Sequence, residues 1–463
     1  MASGLELFVN SVRNLSSHGM CFEVRTNRFR SPILTTAYFN EWAPFISGSV
    51  RELKELYDVV VEARDVLAKN SQHLDNVLET LDVHQHCLGV MVVLTAKFDS
   101  AGAPVPDNRF IEAQEFIFNF NVEQLRLAPD LFAEFSHSFT NYLLAQKTPI
   151  KGISLLKHAI IRLKYFAENQ LTSIHADLCQ LCLVAKCFKP ALQILDADII
   201  SICQEIHNPP PNGPLFDSKY FLLYYYYGGN IYLALKNLDR ALYFFEVALT
   251  TPAHAVSHIM LDAFKKFILV SLLLHGKMQP IPKSSSKMVM RFIKPLSQPY
   301  TDLAAAFVIN SIAEVNNIIT KHSEVFIRDQ NMGLVKQVSS VLYKKNIQRL
   351  TKTFLTLSLT DVASRVGLPG PDDAERHVLS MIENGQIYAT INQKDGMVVF
   401  SDEPDKYSGP GVLKTLEDEL AICMDFNGRI LNMDEELQVN PQYVKKSAGI
   451  LDEDQPAKSS YAM

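Results

Sequence analysis

Ser358–Ser401 is the most informative stretch of this chain, with the sequence SLTDVASRVGLPGPDDAERHVLSMIENGQIYATINQKDGMVVFS. Ser358 and Asp361 are spaced as a capping box, because the hydroxyl and the carboxylate can bind free amides at a helix start. Gly367 is placed to end that helix, and Pro371 suits the first position of a second one. The stretch therefore begins with two short helices joined by a rigid Pro-Gly-Pro link.

Two strands follow these helices directly. Ile387, Ala389 and Ile391 occupy alternate positions, which is typical of a strand. Asp395-Gly396 predicts a tight hairpin turn, with a return strand over 397–400. Helix, turn, helix and hairpin together predict a winged-helix module.

The second helix of this module carries mostly negative charge. Its charged residues are Asp372, Asp373, Glu375, Arg376 and Glu383. A winged helix often contacts DNA through this helix, but phosphate binding requires the opposite sign. A basic cluster lies just upstream, at Lys344, Lys345, Arg349 and Lys352. That cluster is more typical of a solvated helix face, so we expect no nucleic acid as a partner and keep a nucleic-acid-binding protein as the alternative.

The region before the winged helix contains an internal repeat. Residues 229–252 follow the tetratricopeptide pattern, with Gly229 and Ala241 where two helices must approach each other. A second copy covers 178–195, and a weaker copy surrounds 150–156. The predicted fold class is therefore mainly α: a tetratricopeptide-like helical-repeat solenoid, then the winged-helix module and a C-terminal helix.

Clusters of proline and glycine divide the chain, at 101–108, 208–214, 277–286 and 407–411. The predicted domains are N-terminal helical repeats over 1–215 and a second domain over 216–404, the latter with a helical part over 216–357 and the winged helix over 358–402. A C-terminal helix over 411–438 and a disordered tail over 445–463 follow. Residues 20–48 have no clean period and are interpreted as an irregular insertion.

The C-terminal helix carries an apolar stripe with alternating spacings of three and four residues. Its members are Leu413, Leu416, Leu420, Cys423, Ile430 and Leu437, interrupted by Asn427 and Asp434. Such a stripe must be covered, and a partner helix is favoured over the chain itself. The wing strands leave an edge that could pair with a neighbouring chain. The predicted interface residues are Ile387, Ala389, Ile391, Met397, Val399, Leu413, Leu416, Leu420, Ile430 and Leu437.

Composition limits the classes of function. The 463 residues exceed one compact core, and a net charge of −6 gives no global attraction to nucleic acid or acidic lipid. The longest apolar stretch, 220–235, is shorter than the ~20 residues that cross a bilayer, and no secretory leader is recognised. Seven cysteines, an odd number, indicate reduced thiols. We expect a protein of the cytoplasm and nucleus with no membrane partner.

No catalytic constellation is present. His84 and His86 lack the companion residues of a metalloprotease motif, and the triplet His254, His258 and Asp262 lacks a general base. The cluster around Cys179 supplies half of a zinc site. We therefore expect no catalytic residue, no cofactor and no metal, with a metal-dependent hydrolase as the remaining alternative.

A helical array that runs into an acidic winged helix resembles the PCI-domain family, which is shared by the proteasome lid, the COP9 signalosome and a translation initiation factor scaffold. The likeness is closest to PCI subunits of the signalosome, and it covers nearly the whole chain except 20–48 and 208–216. It rests on the segments 175–182, 224–229, 256–260, 291–296, 331–336, 343–359 and 391–397.

The resemblance implies a non-catalytic scaffold. The signalosome removes the ubiquitin-like protein NEDD8 from cullins and so regulates cullin–RING ubiquitin ligases, and its catalysis belongs to a zinc metalloprotease subunit of the MPN type. The implied partners are other PCI and MPN subunits, and indirectly cullin–RING ligases. In the family, winged helices associate through their sheets and C-terminal helices form a shared bundle. A scaffold of the proteasome lid or of the initiation factor is the nearest alternative.

Overall fold

A computed structural model describes residues 4–18, 55–70, 73–99, 108–164, 170–206 except 198 and 200, 216–282 except 254, 285–402, and 409–444 except 442. The predicted insertion at 20–48, the loop at 208–214 and the tail at 445–463 lie outside the described residues. The chain forms two compact units, 1–342 and 343–463.

The first unit is an array of helices with two very short strands. Its elements are α1 (Gly4–His18), α2 (described over 55–62), α3 (Arg64–Lys69), α4 (Leu74–Thr80), α5 (Cys87–Asp99), α6 (Arg109–Asn119), α7 (Val122–Leu127), α8 (Pro129–Ala145), α9 (Pro149–Lys164), β1 (Gln170–Leu171), α10 (Ser173–Val184), α11 (Lys189–Leu195), β2 (Ser201–Ile202), α12 (Ser218–Ala234), α13 (Leu238–Thr250), α14 (His258–His275), α15 (Lys287–Leu296), α16 (Gln298–Ile309), α17 (Ile312–Lys321), α18 (Ser323–Arg328) and α19 (Met332–Thr351), within which the unit ends. The predicted helical repeats are confirmed.

The repeat copies are helical hairpins that pack side by side. Helix α12 pairs with α13 and also packs on α10, so the array continues across residues 215 and 216, where the sequence suggested a domain boundary. Gly229 lies where α12 meets α13, and a Cβ there would stand 2.7 Å from the buried ring of Phe245. Cys179 and Ala191 hold the matching buried positions in the copy made by α10 and α11. Small side chains therefore set the helix spacing, as the repeat pattern predicts.

Substituting Gly229 by alanine tests this close approach. We expect Gly229→Ala to lower the free energy of unfolding by about 1–3 kcal/mol, because the added methyl overlaps a ring that is fully enclosed. Gly333→Ala, at a helical position where a Cβ meets nothing within 4 Å, is the matched control and should not destabilise the protein. Thermal unfolding followed by circular dichroism measures both. Equal losses at the two positions would contradict the packing argument.

Three successive hairpins, α8–α9, α10–α11 and α12–α13, end their first helix in the same way. Lys147, Lys186 and Lys236 each have a left-handed backbone, with φ of 56°, 55° and 62°. The amide of the following residue then donates to the carbonyl five residues back, as from Cys187 to Cys182 at 3.0 Å. This is the Schellman arrangement, in which glycine is usual because a side chain costs roughly 1–2 kcal/mol in the left-handed region.

A polar cluster is enclosed where α8, α10 and α12 meet. The Nδ1 atom of His137 lies 2.6 Å from the carboxylate of Asp177, and the His137 ring stacks on Tyr220 at 4.0 Å between centroids. Beside them, Glu205 accepts a bond of 2.8 Å from the amide of Ser173 at the start of α10. Burial raises the pKa of Asp177 and raises that of Glu205 to about 7.

This burial predicts a pH dependence. The pKa of Glu205 is about 7 in the folded state, whereas its ordinary value is 4.5. Between these two pH values the folded state therefore keeps a proton that the unfolded state releases. Stability from this group is therefore present below pH 4.5 and is lost as the pH rises towards 7. Glu205→Gln keeps the acceptor without the charge. In urea unfolding, the free energy of unfolding of Glu205→Gln relative to that of the wild type should rise by on the order of 2 kcal/mol between pH 5 and pH 8. A gain independent of pH would contradict this.

The second unit contains the winged helix and a long final helix. Its elements, after the end of α19, are β3 (Thr356–Ser358), α20 (Leu359–Val366), α21 (Pro371–Glu383), β4 (Tyr388–Asn392), β5 (Met397–Ser401) and α22 (Pro410–Val439). The sheet is antiparallel with the order β3-β5-β4. The predicted winged helix is confirmed, and β3 is an additional strand that the sequence analysis did not identify.

Two local details differ from the sequence prediction. The hairpin loop has four residues, 393–396, since Asn392 pairs with Met397. The side chain of Asn392 stabilises this longer loop, because its amide donates to Asp395 at 2.6 Å and its oxygen accepts from the Lys394 amide at 3.3 Å. At the start of α20, the Ser358 oxygen accepts from the Asp361 amide at 3.0 Å, while the Ser358 hydroxyl donates to the Asp361 carboxylate at 2.7 Å. That carboxylate thus binds the hydroxyl instead of a free amide.

Candidate interaction surfaces of the winged helix and the final helix

The sheet of the winged helix has one packed face and one open face. Along β5, Val398 and Phe400 are buried while Val399 between them is 42% exposed. Leu357 in β3 pairs with Val398 and is buried with it. Successive residues of a strand point to opposite faces, so the core lies beneath Val398 and Phe400 and the open face is centred on Val399.

The five predicted interface residues of the wing divide between these faces. Ala389 and Ile391 pair with the buried residues of β5, and both are half-buried. Ile387 precedes β4 and is 5% exposed, so it belongs to the core of this unit and offers little surface to a partner. Met397 and Val399 alternate with the buried residues of β5 and so belong to the open face, where Met397 is half-buried and Val399 is exposed. The hairpin pattern could not separate these roles, because it did not include β3 or the packing beneath the sheet.

Strands β3 and β4 form the two edges of the sheet, and β4 is the longer of them. Strand β5 is hydrogen-bonded on both sides, whereas β4 pairs only with β5 among the described residues. An unpaired strand edge presents backbone donors and acceptors that a strand of another chain can join. Pairing through the wing is therefore available along 389–392 of β4, and β5 contributes side chains from its open face.

Helix α21 confirms the acidic surface seen in the sequence. Asp372 and Glu383 are exposed, and the one guanidinium, of Arg376, lies 3.4 Å from Asp373. Glu375 accepts a bond of 3.0 Å from Gln393 in the hairpin loop. These contacts hold the loop against a helix with excess negative charge, which repels phosphate.

Helix α22 has 30 residues, and none of its described side chains is buried. The five predicted interface residues of this helix are between 48% and 63% exposed: Leu413, Leu416, Leu420, Ile430 and Leu437. A soluble monomer rarely exposes a contiguous apolar surface of this kind, and such a surface marks a contact with another protein.

The apolar surface of α22 is wider than the sequence analysis proposed. Met424, Phe426, Leu431 and Met433 are each more than half exposed and flank the stripe on both sides in its middle. These residues occupy the positions on either side of the apolar seam of a coiled coil. In a helix with one partner, such flanking positions usually carry charged residues. In the first turns, Glu417 and Glu419 hold those positions. The seven-residue pattern of the sequence already contained these flanking apolar residues.

The candidate metal and redox residues that the structure describes are not grouped as a site. Among the described residues no cluster of histidine, cysteine and carboxylate groups could hold a metal ion, and His254 lies outside them. Burial raises the pKa of Cys182 to about 12 and also raises that of Cys179, so both thiols stay protonated. His86 accepts a bond of 3.2 Å from the Asp82 amide. In the described part of the chain, no helix is long and apolar enough to span a membrane.

Comparison with known proteins agrees with this architecture. The family of N-terminal helical repeats of COP9 signalosome complex subunit 3 matches residues 50–289, and the PCI domain matches residues 319–402. COP9 signalosome complex subunit 3 of Drosophila melanogaster is 46% identical over 467 residues, 98% of this chain and 97% of the relative. This chain belongs to the COP9 signalosome subunit 3 family. A subunit 3 of Dictyostelium discoideum is 37% identical over 396 residues, 84% of this chain and 91% of the relative.

The subunit 3 assignment covers each part of the fold. The helical-repeat match ends beyond α14, and the PCI match includes α19 and the whole winged helix. Helix α22 lies outside both of these ranges, yet the Drosophila subunit 3 aligns with 98% of the chain. The alignment with the Drosophila subunit 3 therefore extends into the segment of the final helix.

Proposed function

We propose that this chain is a non-catalytic scaffold subunit of the COP9 signalosome, the complex that removes NEDD8 from cullins and regulates cullin–RING ubiquitin ligases. The observation that carries the proposal is the bare apolar surface of α22 in a chain of the subunit 3 family. A helix of 30 residues with no buried side chain gains its stability from neighbours, as in a bundle.

The partners of this scaffold are the other PCI and MPN subunits of the complex, and cullin–RING ligases are reached indirectly. Catalysis belongs to the MPN metalloprotease subunit. The acidic surface of α21 supports a role without nucleic acid, and no feature of the described residues favours a membrane. The protein acts in the cytoplasm and nucleus, where cullin–RING ligases work.

Two surfaces of this chain contact other subunits. The β4 edge and the open face at Val399 meet the sheet of a neighbouring winged helix, whereas α22 enters a bundle of C-terminal helices. The width of the α22 surface supports a bundle with at least two neighbours, since a single partner would leave Phe426 or Leu431 exposed.

Affinity purification of the tagged full chain, followed by mass spectrometry, tests the proposal. We expect PCI and MPN subunits of the signalosome in near-stoichiometric amounts, and no stoichiometric zinc in the isolated chain by elemental analysis. Recovery of proteasome-lid or initiation-factor subunits instead would assign the chain to the alternative scaffold. Recovery of the chain alone would overturn the scaffold role.

Substitution on the sheet separates assembly from folding. Val399→Asp places a charge on the open face, so we expect recovery of partners to fall while the melting temperature stays near that of the wild type. Ile391→Asp places a charge on the packed face and should lower the melting temperature itself. Ser364→Asp on the exposed side of α20 is the control. Normal recovery with Val399→Asp would exclude the open face from the interface.

A further inference from the structure

A turn with a left-handed residue recurs along the first unit, and several of these turns carry an exposed lysine. Left-handed residues end the first helix of successive hairpins, at Lys147, Lys186, Lys236, Gly276, Asn310 and Gln330. Lys277 directly follows Gly276 and is exposed. The first four turns therefore each present an exposed lysine, whereas the last two present an amide.

The fold itself does not require these lysines. Asn310 and Gln330 adopt the same backbone conformation without a charge, and Gly276 adopts it without a side chain. A lysine in the left-handed region is strained relative to glycine, and retained strain of this kind points to a role outside folding. Three strained lysines at equivalent positions are thus better explained by their charge than by their conformation.

The packing of the array brings the four lysines to one edge. Helix α10 packs on α8 and on α12, and α12 also packs on α14, while the intervening helices return the chain to the other side. The turns after α8, α10, α12 and α14 therefore lie in a row, about 10 Å apart by the usual spacing of packed helices. We name the row of Lys147, Lys186, Lys236 and Lys277 the basic edge. None of the four makes an ion pair with any described residue.

The neighbours of the basic edge add both charge and apolar surface. Further cations lie within four residues of the turns, at Lys151, Lys189 and Arg240, against a single nearby carboxylate, Asp239. Ile150, Val184 and Leu235 lie beside three of the turns and are 68%, 55% and 40% exposed. Cationic and aliphatic side chains thus occur together at three of the four turns.

We propose that the basic edge binds an extended acidic segment of another protein, in which carboxylate and aliphatic side chains alternate. The charge is complementary, and the row of roughly 30 Å matches about nine residues of extended chain. Single-stranded nucleic acid would require aromatic side chains on which bases stack, and the exposed apolar residues beside these turns are aliphatic. The inference is independent of which complex the chain enters.

The test measures fluorescence anisotropy of a labelled 12-residue peptide of alternating glutamate and leucine, titrated with the full chain. The test variant replaces all four edge lysines by glutamine, the residue that holds the same turn at Gln330. The control variant replaces Lys69, Lys294, Lys321 and Lys394 by glutamine, which changes the net charge equally at exposed positions off the edge. We expect the edge variant to bind roughly tenfold more weakly, and the control to bind as the wild type does.

Further probes decide between outcomes. A poly-glutamate peptide without leucine should bind more weakly than the alternating peptide, and raising the salt concentration should weaken both. Equal binding by the edge and control variants would overturn the proposal, as would tighter binding of a thymidine oligonucleotide of similar length. If the fourfold variant melts at a lower temperature, the single variants Lys186→Gln and Lys236→Gln replace it. Each should weaken the alternating peptide about twofold, and no change in either would equally overturn the proposal.

Discussion

A chain carrying Leu420→Asp and Ile430→Asp in α22 is expected to fold as the wild type does and to be lost from its complex. Both side chains are about half or more exposed and contact no core of their own chain, so their replacement removes nothing from the folded monomer. In a bundle each would bury its side chain, which contributes about 1.5–3 kcal/mol, and a carboxylate there adds a desolvation penalty. Recovery of partner subunits should therefore fall roughly tenfold or more, since 1.4 kcal/mol corresponds to a factor of ten.

The matched control carries the same substitution on the opposite face of the helix. Thr415→Asp with Asn432→Asp adds two carboxylates to α22 outside the apolar surface, and partner recovery should stay near the wild-type amount. Quantitative mass spectrometry of the purified complexes and melting curves of the isolated chains provide the two measurements. Normal assembly of the Leu420 and Ile430 variant would mean that the bare surface of α22 serves another purpose.

The second large effect is expected at a buried ion pair in the first unit. Lys265 in α14 lies 2.8 Å from the carboxylate of Asp329, and both side chains are only 9% exposed. The same carboxylate accepts a bond of 3.0 Å from the hydroxyl of Tyr300, which in turn accepts one from Asn331. This cluster joins α14 and α16 to the turn between α18 and α19. Asp329→Ala leaves the enclosed ammonium of Lys265 with only Asp262, a half-buried carboxylate 3.3 Å away, and should cost about 3 kcal/mol.

A double variant distinguishes the effect of leaving one buried charge unpaired from the effect of removing both charges. Lys265→Met with Asp329→Leu removes both charges together, so it should destabilise less than Asp329→Ala alone. Glu314→Ala removes an exposed carboxylate of the same unit and should change stability by no more than about 0.5 kcal/mol. Urea unfolding measures all three. A double variant that is less stable than Asp329→Ala would contradict this expectation. It would show that the ion pair contributes more to stability than one unpaired buried charge costs.

Local pattern predicted the helical repeats, the winged helix and the stripe of α22, because each depends on residues within one or two turns of one another. The position of Ile387 could not be predicted, since the alternation Ile387, Ala389, Ile391 does not show which residue precedes the strand and which face is packed. Strand β3 was missed for a related reason. Three residues give no period, and Leu357 becomes recognisable only through its pairing with Val398.

Contacts between distant segments were equally inaccessible to sequence analysis. Nothing near Lys265 indicates that Asp329 will neutralise it, and the enclosure of Glu205 depends on how α8, α10 and α12 meet. The lysines of the basic edge show a different limit. Each is unremarkable in its own turn, and only the left-handed backbone and the order of the packed helices reveal them as a row.

The uncovered surface of α22 also bears on how cells keep subunits in proportion. A newly made chain displays leucine, isoleucine, phenylalanine and methionine side chains along 30 residues until its neighbours arrive. Apolar surface of this kind is what chaperones and quality-control proteases recognise in unassembled proteins. We expect surplus chains to be short-lived, so that the supply of partner helices, and not the rate of synthesis, sets how much of this protein accumulates.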